Sequence, residues 1–244
     1  MKAAPAAQRR LLDLAGADAD LARVTHRRRT LPELTEIGEV ENALRSCRDA
    51  VVAADTVIGD LDRDAAKLEG EIDAVRAREE RDRGLLRSGV GARQVTDLEH
   101  ELETLQRRQG VLEDELLEIM EQREAAGINA DKAREALADA ERRLADATDR
   151  RDHALADLEV AEQRRSADRA GLVGDIPADL LAMYDRIRSQ KGTGAALIRA
   201  RRCGSCRLEL DRSAIGALRD GAADEVLRCE ECGVILVRTA ESGL

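Results

Sequence analysis

The chain has 244 residues and a formal net charge of −10, and 37% of its residues are charged. It contains one tyrosine and no phenylalanine or tryptophan, which excludes a large globular core of the ordinary kind, because aromatic side chains normally supply much of the buried area. The dominance of alanine, leucine, arginine and acidic residues is typical of long helices and coiled coils. The negative charge opposes binding of the whole molecule to phosphate backbones or anionic membranes.

The first residues, MKAAPAAQRRLLDLAG, lack an apolar segment of signal-peptide length, and no later stretch is long and apolar enough for a transmembrane helix. We therefore expect a cytoplasmic protein with no membrane contact. Thiols stay reduced in that compartment, so paired cysteines favour a metal site over a disulfide.

The first predicted helix covers residues 6–29, and Leu31-Pro32-Glu33 marks a break, since proline suits the start of a helix better than its middle. A heptad pattern then predicts a coiled-coil helix from about residue 33 to residue 87. Its seam positions alternate in steps of three and four: Ile37, Val40, Leu44, Cys47, Val51, Ala54, Ile58, Leu61, Ala65, Leu68, Ile72 and Val75. Cys47 lies on this seam and is therefore interpreted as a small buried hydrophobic residue.

Two glycines in the stretch Ser88-Gly-Val-Gly-Ala92 interrupt the helix, and a second heptad pattern begins directly afterwards. It predicts a helix from about 93 to 169 that folds back antiparallel on the first. Arg123 and Arg151 also fall on seam positions, where we expect them to extend toward solvent or pair with acids of the opposite helix. The apolar seam positions are Val95, Leu98, Leu102, Leu105, Leu112, Leu116, Ile119, Ala126, Ala130, Ala133, Leu137, Ala140, Leu144, Ala147, Ala154, Leu158 and Ala161.

The segment after the hairpin contains a short helix, predicted over residues 178–188, with Leu180, Leu181, Tyr184 and Ile187 on one face. Residues 186–202 then carry six basic side chains and no acidic one. This local charge makes them candidate phosphate or nucleic-acid contacts, whereas the alternative is a solvated basic linker. The candidates are Arg186, Arg188, Lys191, Arg199, Arg201 and Arg202.

Four of the five cysteines form two CxxC pairs, Cys203/Cys206 and Cys229/Cys232. Two such turns aim four sulfurs at one ion and predict a tetrahedral site that suits one structural Zn²⁺, with iron as the rival metal. β-Rich segments at 226–229 and 234–238 flank the second pair, a third strand is predicted at 207–210 and a helical turn at 213–219, so the tail is typical of a zinc ribbon. Four thiolates leave no open position on the metal, which argues against catalysis there.

No other pattern indicates an enzyme. His26, His100 and His153 are far apart on predicted helices, and the sequence has no nucleophile elbow, phosphate loop or HExxH motif. We therefore expect a protein without enzymatic activity or a small-molecule substrate.

The sequence resembles bacterial C4-type zinc-ribbon proteins with an N-terminal coiled-coil hairpin, of actinobacterial type. The resemblance rests on the helical hairpin and the basic segment together with three motifs: Tyr184-Asp-Arg-Ile-Arg188, Cys203-Gly-Ser-Cys206 and Cys229-Glu-Glu-Cys232-Gly. The resemblance implies zinc on the four cysteines. It also implies an adaptor that binds nucleic acid or protein and has no known enzymatic activity.

These patterns together predict a mainly α fold, a long antiparallel coiled-coil helical hairpin (residues 1–170) followed by a neck helix and small C-terminal β zinc ribbon (residues 171–244). The leading functional hypothesis is a non-enzymatic adaptor that contacts a protein partner through the coiled coil and the ribbon. The alternative is an RNA- or DNA-binding protein that uses the basic neck at 186–202. The sequence specifies no oligomeric state.

Overall fold

The computed structural model describes residues 1–243, most of which are helical. Helix α1 covers Pro5–Arg29, α2 Pro32–Arg87, α3 Ala92–Gly174 and α4 Ala178–Lys191. The elements of the tail are β1 (Ala195–Arg199), β2 (Arg202–Cys203), α5 (Arg212–Asp220), β3 (Leu227–Arg228), β4 (Ile235–Val237) and a 3-10 turn at Ala240–Ser242. The predicted fold class, a long helical hairpin with a small C-terminal sheet, is confirmed.

Two compact units divide the chain. One contains Met1–Leu34 together with Arg150–Leu244, and the other is Thr35–Asp149. The first unit therefore combines α1, the end of α3, α4 and the ribbon. The domain boundary predicted at residue 170 stays a prediction, because the two units reflect contacts within the fold and do not test where one domain ends and the next begins.

In the unit formed by residues 35–149, α2 and α3 pair through the predicted seam. Every apolar seam residue named above for this unit, with Cys47, is buried or half-buried, whereas Arg123 is exposed. Ion pairs beside the seam show the relative direction of the helices. Arg48, early in α2, pairs with Glu141 of α3, whereas Arg78, late in α2, pairs with Glu101, which comes earlier in α3. Such a reversal means that the helices are antiparallel. Gly89, with φ of +86°, forms the turn between them and supplies a conformation that other residues rarely adopt.

The two arginines on seam positions behave differently. Arg123 of α3 pairs with Asp62 of α2, so the predicted contact with an acid of the opposite helix is confirmed. Arg151 instead has its Nη2 atom 2.8 Å from Asp152 Oδ1 on its own helix. In the alanine-rich part of the seam, Ala130, Ala140 and Ala147 are buried between the two helices.

The hydrophobic core of the other unit joins α1 and α4 to the sheet. Leu11 and Leu14 of α1 and Leu180 and Tyr184 of α4 have no measurable exposure, and they pack in one cluster with residues of β1 and β4. The apolar face predicted for the neck helix is therefore buried against the ribbon and α1. Helix α4 is three residues longer than predicted and ends at Lys191, and it is capped by Gly192, whose φ is +82°, as is common for a helix cap.

The sheet has the strand order β2-β1-β4-β3. Strand β1 runs parallel to β4, with Ala195 opposite Ile235, and antiparallel to β2. Strand β1 lies within residues 186–202, the segment for which the alternative interpretation was a solvated basic linker. Its start is closely packed, because a Cβ atom added to Gly194 would lie 2.5 Å from Tyr184 Cδ2.

The remaining tail elements largely follow the sequence patterns. The strands flanking the second cysteine pair are present as β3 and β4, and the predicted helical turn is α5, whose first turn is capped by Asp211 Oδ1 accepting from Ala214 N at 2.6 Å. The third strand predicted at 207–210 is wrong in extent, since only Glu209 forms a bridge, to Arg202. Among residues 1–243, no helix has the length and apolar character needed to cross a membrane.

Candidate metal centre

The four cysteines of the two CxxC pairs lie together in the ribbon. Their Sγ atoms are all within 4.8 Å of one another, with Cys203 Sγ 3.8 Å from Cys232 Sγ and Cys206 Sγ 3.9 Å from Cys229 Sγ. A tetrahedral zinc site with Zn–S bonds of about 2.3 Å requires sulfur separations of about 3.8 Å. The sulfur geometry therefore fits one structural Zn²⁺, and within the described residues no other group of His, Cys, Asp or Glu comes as close.

Both cysteine turns have the same backbone hydrogen bonds. In the first, Arg207 N donates to Cys203 O at 2.8 Å, and in the second Gly233 N donates to Cys229 O at the same distance. The residue after each second cysteine has a positive φ, +63° at Arg207 and +77° at Gly233. Glycine adopts this conformation without cost, whereas arginine is strained there.

This difference between the turns leads to a paired prediction. We expect Arg207→Gly to raise the free energy of unfolding of the zinc-loaded protein by about 0.5 kcal/mol, since relief of strain exceeds the added entropy of the unfolded chain. Gly233→Ala should lower it by about 1 kcal/mol. Urea unfolding followed by Tyr184 fluorescence measures both. Arg207→Ala is the matched control, because it removes the side chain and keeps the strain; equal stability of the Gly and Ala variants would contradict the prediction.

The electrostatics of the site favour a bound cation. Cys203 is almost fully buried, and this burial raises the pKa of its thiol to about 12, which makes it a poor free nucleophile at neutral pH. A divalent ion offsets the cost of placing thiolates in such surroundings. When bound, the zinc supplies a cross-link between the β1–β2 side and the β3–β4 side of the ribbon, with all four coordination positions taken by protein.

The six basic residues predicted as phosphate contacts are on different elements. Arg186, Arg188 and Lys191 belong to α4, whereas the other three lie at the β1–β2 turn, where Arg199 and Arg202 are cross-strand neighbours. Arg188 is already engaged, since its Nε atom is 3.0 Å from Asp18 Oδ2. The other five side chains are exposed and have no hydrogen-bonded or ionic partner among residues 1–243.

The contact of Arg188 belongs to a buried polar cluster that the sequence analysis missed. Asp18 of α1 is 4% exposed, and it accepts from Tyr184 Oη at 2.7 Å and from Arg169 Nε at 2.7 Å. Arg169 also donates to Asp185 at 3.1 Å, and the bond to Asp18 raises the pKa of Arg169. The cluster ties α1, α3 and α4 together. Its one signal in the sequence is that Asp18 continues the helical spacing of Leu11 and Leu14 on the buried face.

A second arginine that sequence reasoning missed holds the ribbon together. Arg238, directly after β4, donates to backbone carbonyl groups around the end of α5, including Gly221 O at 2.8 Å and Ala222 O at 2.6 Å. These carbonyls include groups that a helix terminus leaves without partners. Arg238 is therefore a structural residue of the ribbon.

Comparison with known proteins identifies a known domain family for both the hairpin and the ribbon. Residues 14–192 match the CT398-like coiled coil hairpin domain and residues 202–236 match the C4-type zinc ribbon domain. The chain is 41% identical to an uncharacterized protein of Mycobacterium tuberculosis, MT2288, over 98% of both chains. An uncharacterized protein of Mycobacterium leprae, ML1638, is 34% identical over 89% of this chain and 94% of that protein.

Solved structures agree with these matches. A protein of Mycobacterium smegmatis has a TM-score of 0.89 and 42% identity, over 98% of this chain and all of that one. CT398 of Chlamydia trachomatis has the same fold, with a TM-score of 0.69 and 16% identity over 94% of this chain and 96% of that one. With the hairpin, the clustered thiols and relatives that span nearly its whole length, the chain belongs to the family of CT398-like coiled-coil hairpin proteins that carry a C4-type zinc ribbon.

Proposed function

We propose that the protein is a non-enzymatic zinc-binding adaptor that holds a protein partner through its coiled coil and its zinc ribbon. The non-enzymatic part rests on the metal centre, because four cysteine ligands leave no position on the zinc for water or substrate. The adaptor part rests mainly on one surface of the hairpin.

That surface is the outer apolar strip of α3, formed by Leu117, Met120 and Ile128. Leu117 is 58% exposed and Met120 54% exposed, although positions of a coiled-coil helix outside its seam are normally polar. Leu117 and Ile128 are eleven positions apart, about three turns, so they share one helical face with Met120 beside them. Large apolar side chains that stay in solvent along one face favour a protein contact.

The test uses the full tagged chain in extract of its native cell, with the captured protein quantified against the bait. We expect one stoichiometric partner, and we expect Leu117→Gln/Met120→Gln/Ile128→Gln to reduce its capture. Val111→Gln is the control, since Val111 is 49% exposed on α3 but lies about 120° around the helix from Leu117. No stoichiometric partner would refute the adaptor, and capture unchanged by the triple substitution would refute the strip as its contact.

A nucleic-acid-binding function is the second candidate, supported by the unpaired arginines of the β1–β2 turn. Arg199, Arg201 and Arg202 have no acidic partner among residues 1–243, whereas many arginines of α2 and α3 do. Free cations on adjacent strands suit a phosphate backbone. Against this function, the single tyrosine is buried and offers no stacking surface for single strands.

Salt dependence gives the decisive measurement for this candidate. If the three arginines contact phosphates, changing all three to alanine should reduce the slope of log K against log salt concentration by about 2 to 3, since each contact contributes about 0.7 to 0.9. Titrations with RNA and with duplex DNA at several salt concentrations measure it. The control, Arg93→Ala/Arg143→Ala/Arg164→Ala, removes the same charge from exposed helical arginines. Equal slopes for the two triple variants, or no binding at low salt, would refute nucleic-acid binding through this turn.

A further inference from the structure

The end of the hairpin next to Gly89 departs from the apolar seam. Continuing the heptad spacing of α2 beyond Val75 brings Glu79 and Asp82 onto seam positions. Glu79 is only 4% exposed, and one of its oxygens, Oε2, accepts from Arg83 at 2.7 Å. The other, Oε1, and Asp82 Oδ2 are buried atoms with no hydrogen-bond partner. Seam positions usually hold apolar residues, so these acids weaken the coiled coil, and the contact of Glu79 with Arg83 satisfies only one of its two oxygens.

A cavity that we call the tip pocket lies beside Asp82, whereas Glu79 is not among its lining residues. Its volume is about 310 Å³, and its lining includes Arg78, Asp82, Asp97, Leu85, Val90 and Leu98. The cation in this lining is not free to neutralise the acids, because Arg78 Nη2 lies 2.6 Å from Glu101 Oε1. Asp82 and Asp97 have no cationic partner among residues 1–243. The pocket therefore combines an apolar wall with two unpaired negative charges.

The chemistry of the pocket selects one kind of ligand. A metal ion needs its ligand oxygens close together, and within residues 1–243 only the four cysteines bring ligand atoms so near each other. A guanidinium has five donors on a planar fork and can serve carboxylates that are farther apart. The apolar residues Leu85, Val90 and Leu98 suit the methylene stem of the same side chain. The volume is at the lower end for ligand pockets, which fits one side chain better than a cofactor.

We propose that the tip pocket is a docking site for an arginine side chain of the protein partner, with Asp82 and Asp97 receiving the guanidinium. This inference rests on the proposed adaptor function, because it assigns the chemistry of the partner. It also accounts for the acid at seam position 82, where leucine would stabilise the hairpin, because binding sites commonly retain such locally unfavourable residues. The carboxylates of Asp82 and Asp97 gain the cationic partner that the described chain does not supply when the arginine is bound.

The test uses the zinc-loaded full chain labelled with ¹⁵N and the probe N-acetyl-L-arginine methylamide. We expect saturable shifts of backbone amide signals from residues 78–101. N-acetyl-L-citrulline methylamide has nearly the same shape without the charge and should bind at least about tenfold more weakly, because charge-assisted hydrogen bonds are lost. Equal shifts with both probes, or shifts confined to other parts of the chain, would overturn the proposal.

Substitutions assign the contact to the two acids. Asp82→Asn/Asp97→Asn should reduce arginine affinity at least about tenfold, while Asp73→Asn, an exposed and unpaired aspartate of the same helix, should leave it unchanged. A double variant that binds the probe as tightly as the parent overturns the site. Partner capture separates the two proposals: a partner held equally by the double variant refutes the tip pocket and leaves the adaptor, whereas probe binding without any partner supports the pocket and refutes the adaptor.

Discussion

Replacing Cys229 with serine is expected to release the zinc and unfold the ribbon while the hairpin stays helical. Cys229 is 2% exposed, and its Sγ atom completes a set of four sulfurs that are all within 4.8 Å. Structural zinc sites contribute about 10 to 16 kcal/mol of binding free energy in small domains, and that energy is coupled to folding. The core of the ribbon has no aromatic residue besides Tyr184, so loss of the metal leaves little to hold its short strands.

Two measurements on the same sample check this expectation. Elemental analysis should fall from one zinc per chain to well below one, and Tyr184 fluorescence should show a loosened core. Far-ultraviolet circular dichroism should change little, because the unit Thr35–Asp149 has its own internal packing. Cys47→Ser is the matched control: Cys47 is a half-buried seam residue far from the cluster in sequence, and its variant should retain the full zinc. A Cys229→Ser protein that keeps one tightly held zinc would contradict the assignment.

The regular parts of this fold could be predicted from the sequence, because their signal is local and repeated. Each heptad of α2 and α3 restates the same seam, and each CxxC turn fixes two ligands within four residues. Strand β1 was missed for the opposite reason. Residues 195–199 form one short segment, two of them alanine, and their parallel partner β4 begins forty residues later. A single short strand has almost no periodic pattern of hydrophobic residues. Its pairing with a strand far along the chain cannot be predicted from the residues around it.

The polar contacts of the core show the second limit of sequence reasoning. The spacing of Leu11, Leu14 and Asp18 indicates which side of α1 is buried, but it does not tell which groups meet the carboxylate. Arg188 illustrates the consequence: by charge alone it belonged with the phosphate contacts, whereas the structure pairs it with Asp18. A basic residue is available to a ligand only if no acid of its own chain reaches it, and that depends on tertiary contacts.

Asp18→Ala is expected to lower the free energy of unfolding of the zinc-loaded protein by about 3 kcal/mol. Removing one partner of a buried ion pair costs about 3 to 5 kcal/mol, because the remaining charge stays buried without compensation. We expect the lower end, since the Arg169 side chain is 23% exposed and retains Asp185 as a partner. The Tyr184 hydroxyl loses its acceptor in the same variant.

Urea unfolding followed by Tyr184 fluorescence measures this effect, because the only aromatic side chain of the protein is in contact with Asp18. Tyr184→Phe, which removes one hydrogen bond from the cluster, should cost only about 1 kcal/mol. Because this variant has no tyrosine, its urea unfolding and that of the parent are compared by far-ultraviolet circular dichroism. Asp20→Ala is the control on the same helix. Asp20 is half-buried, but its partners Arg23 and Arg165 are exposed and remain solvated without it, so its cost should be within about 1 kcal/mol. Equal costs for the Asp18 and Asp20 variants would mean that the buried cluster does not stabilise the fold.

The same cluster predicts a dependence on alkaline pH. Burial, followed by the hydrogen bond to Asp18, raises the pKa of Tyr184 above its usual value of about 10. Below that pH the tyrosine is protonated in both states and contributes no pH dependence. Above it the unfolded chain releases the proton while the folded chain keeps it, so the free energy of unfolding falls by up to about 1.4 kcal/mol per pH unit. The difference in free energy of unfolding between the parent and Tyr184→Phe, measured in urea by circular dichroism from about pH 9 to about pH 11, isolates this contribution from other titrating groups. Because phenylalanine has no proton to release, the variant should lose less stability over this range, and parallel pH profiles would show that Tyr184 ionises as freely in the folded chain as in the unfolded one.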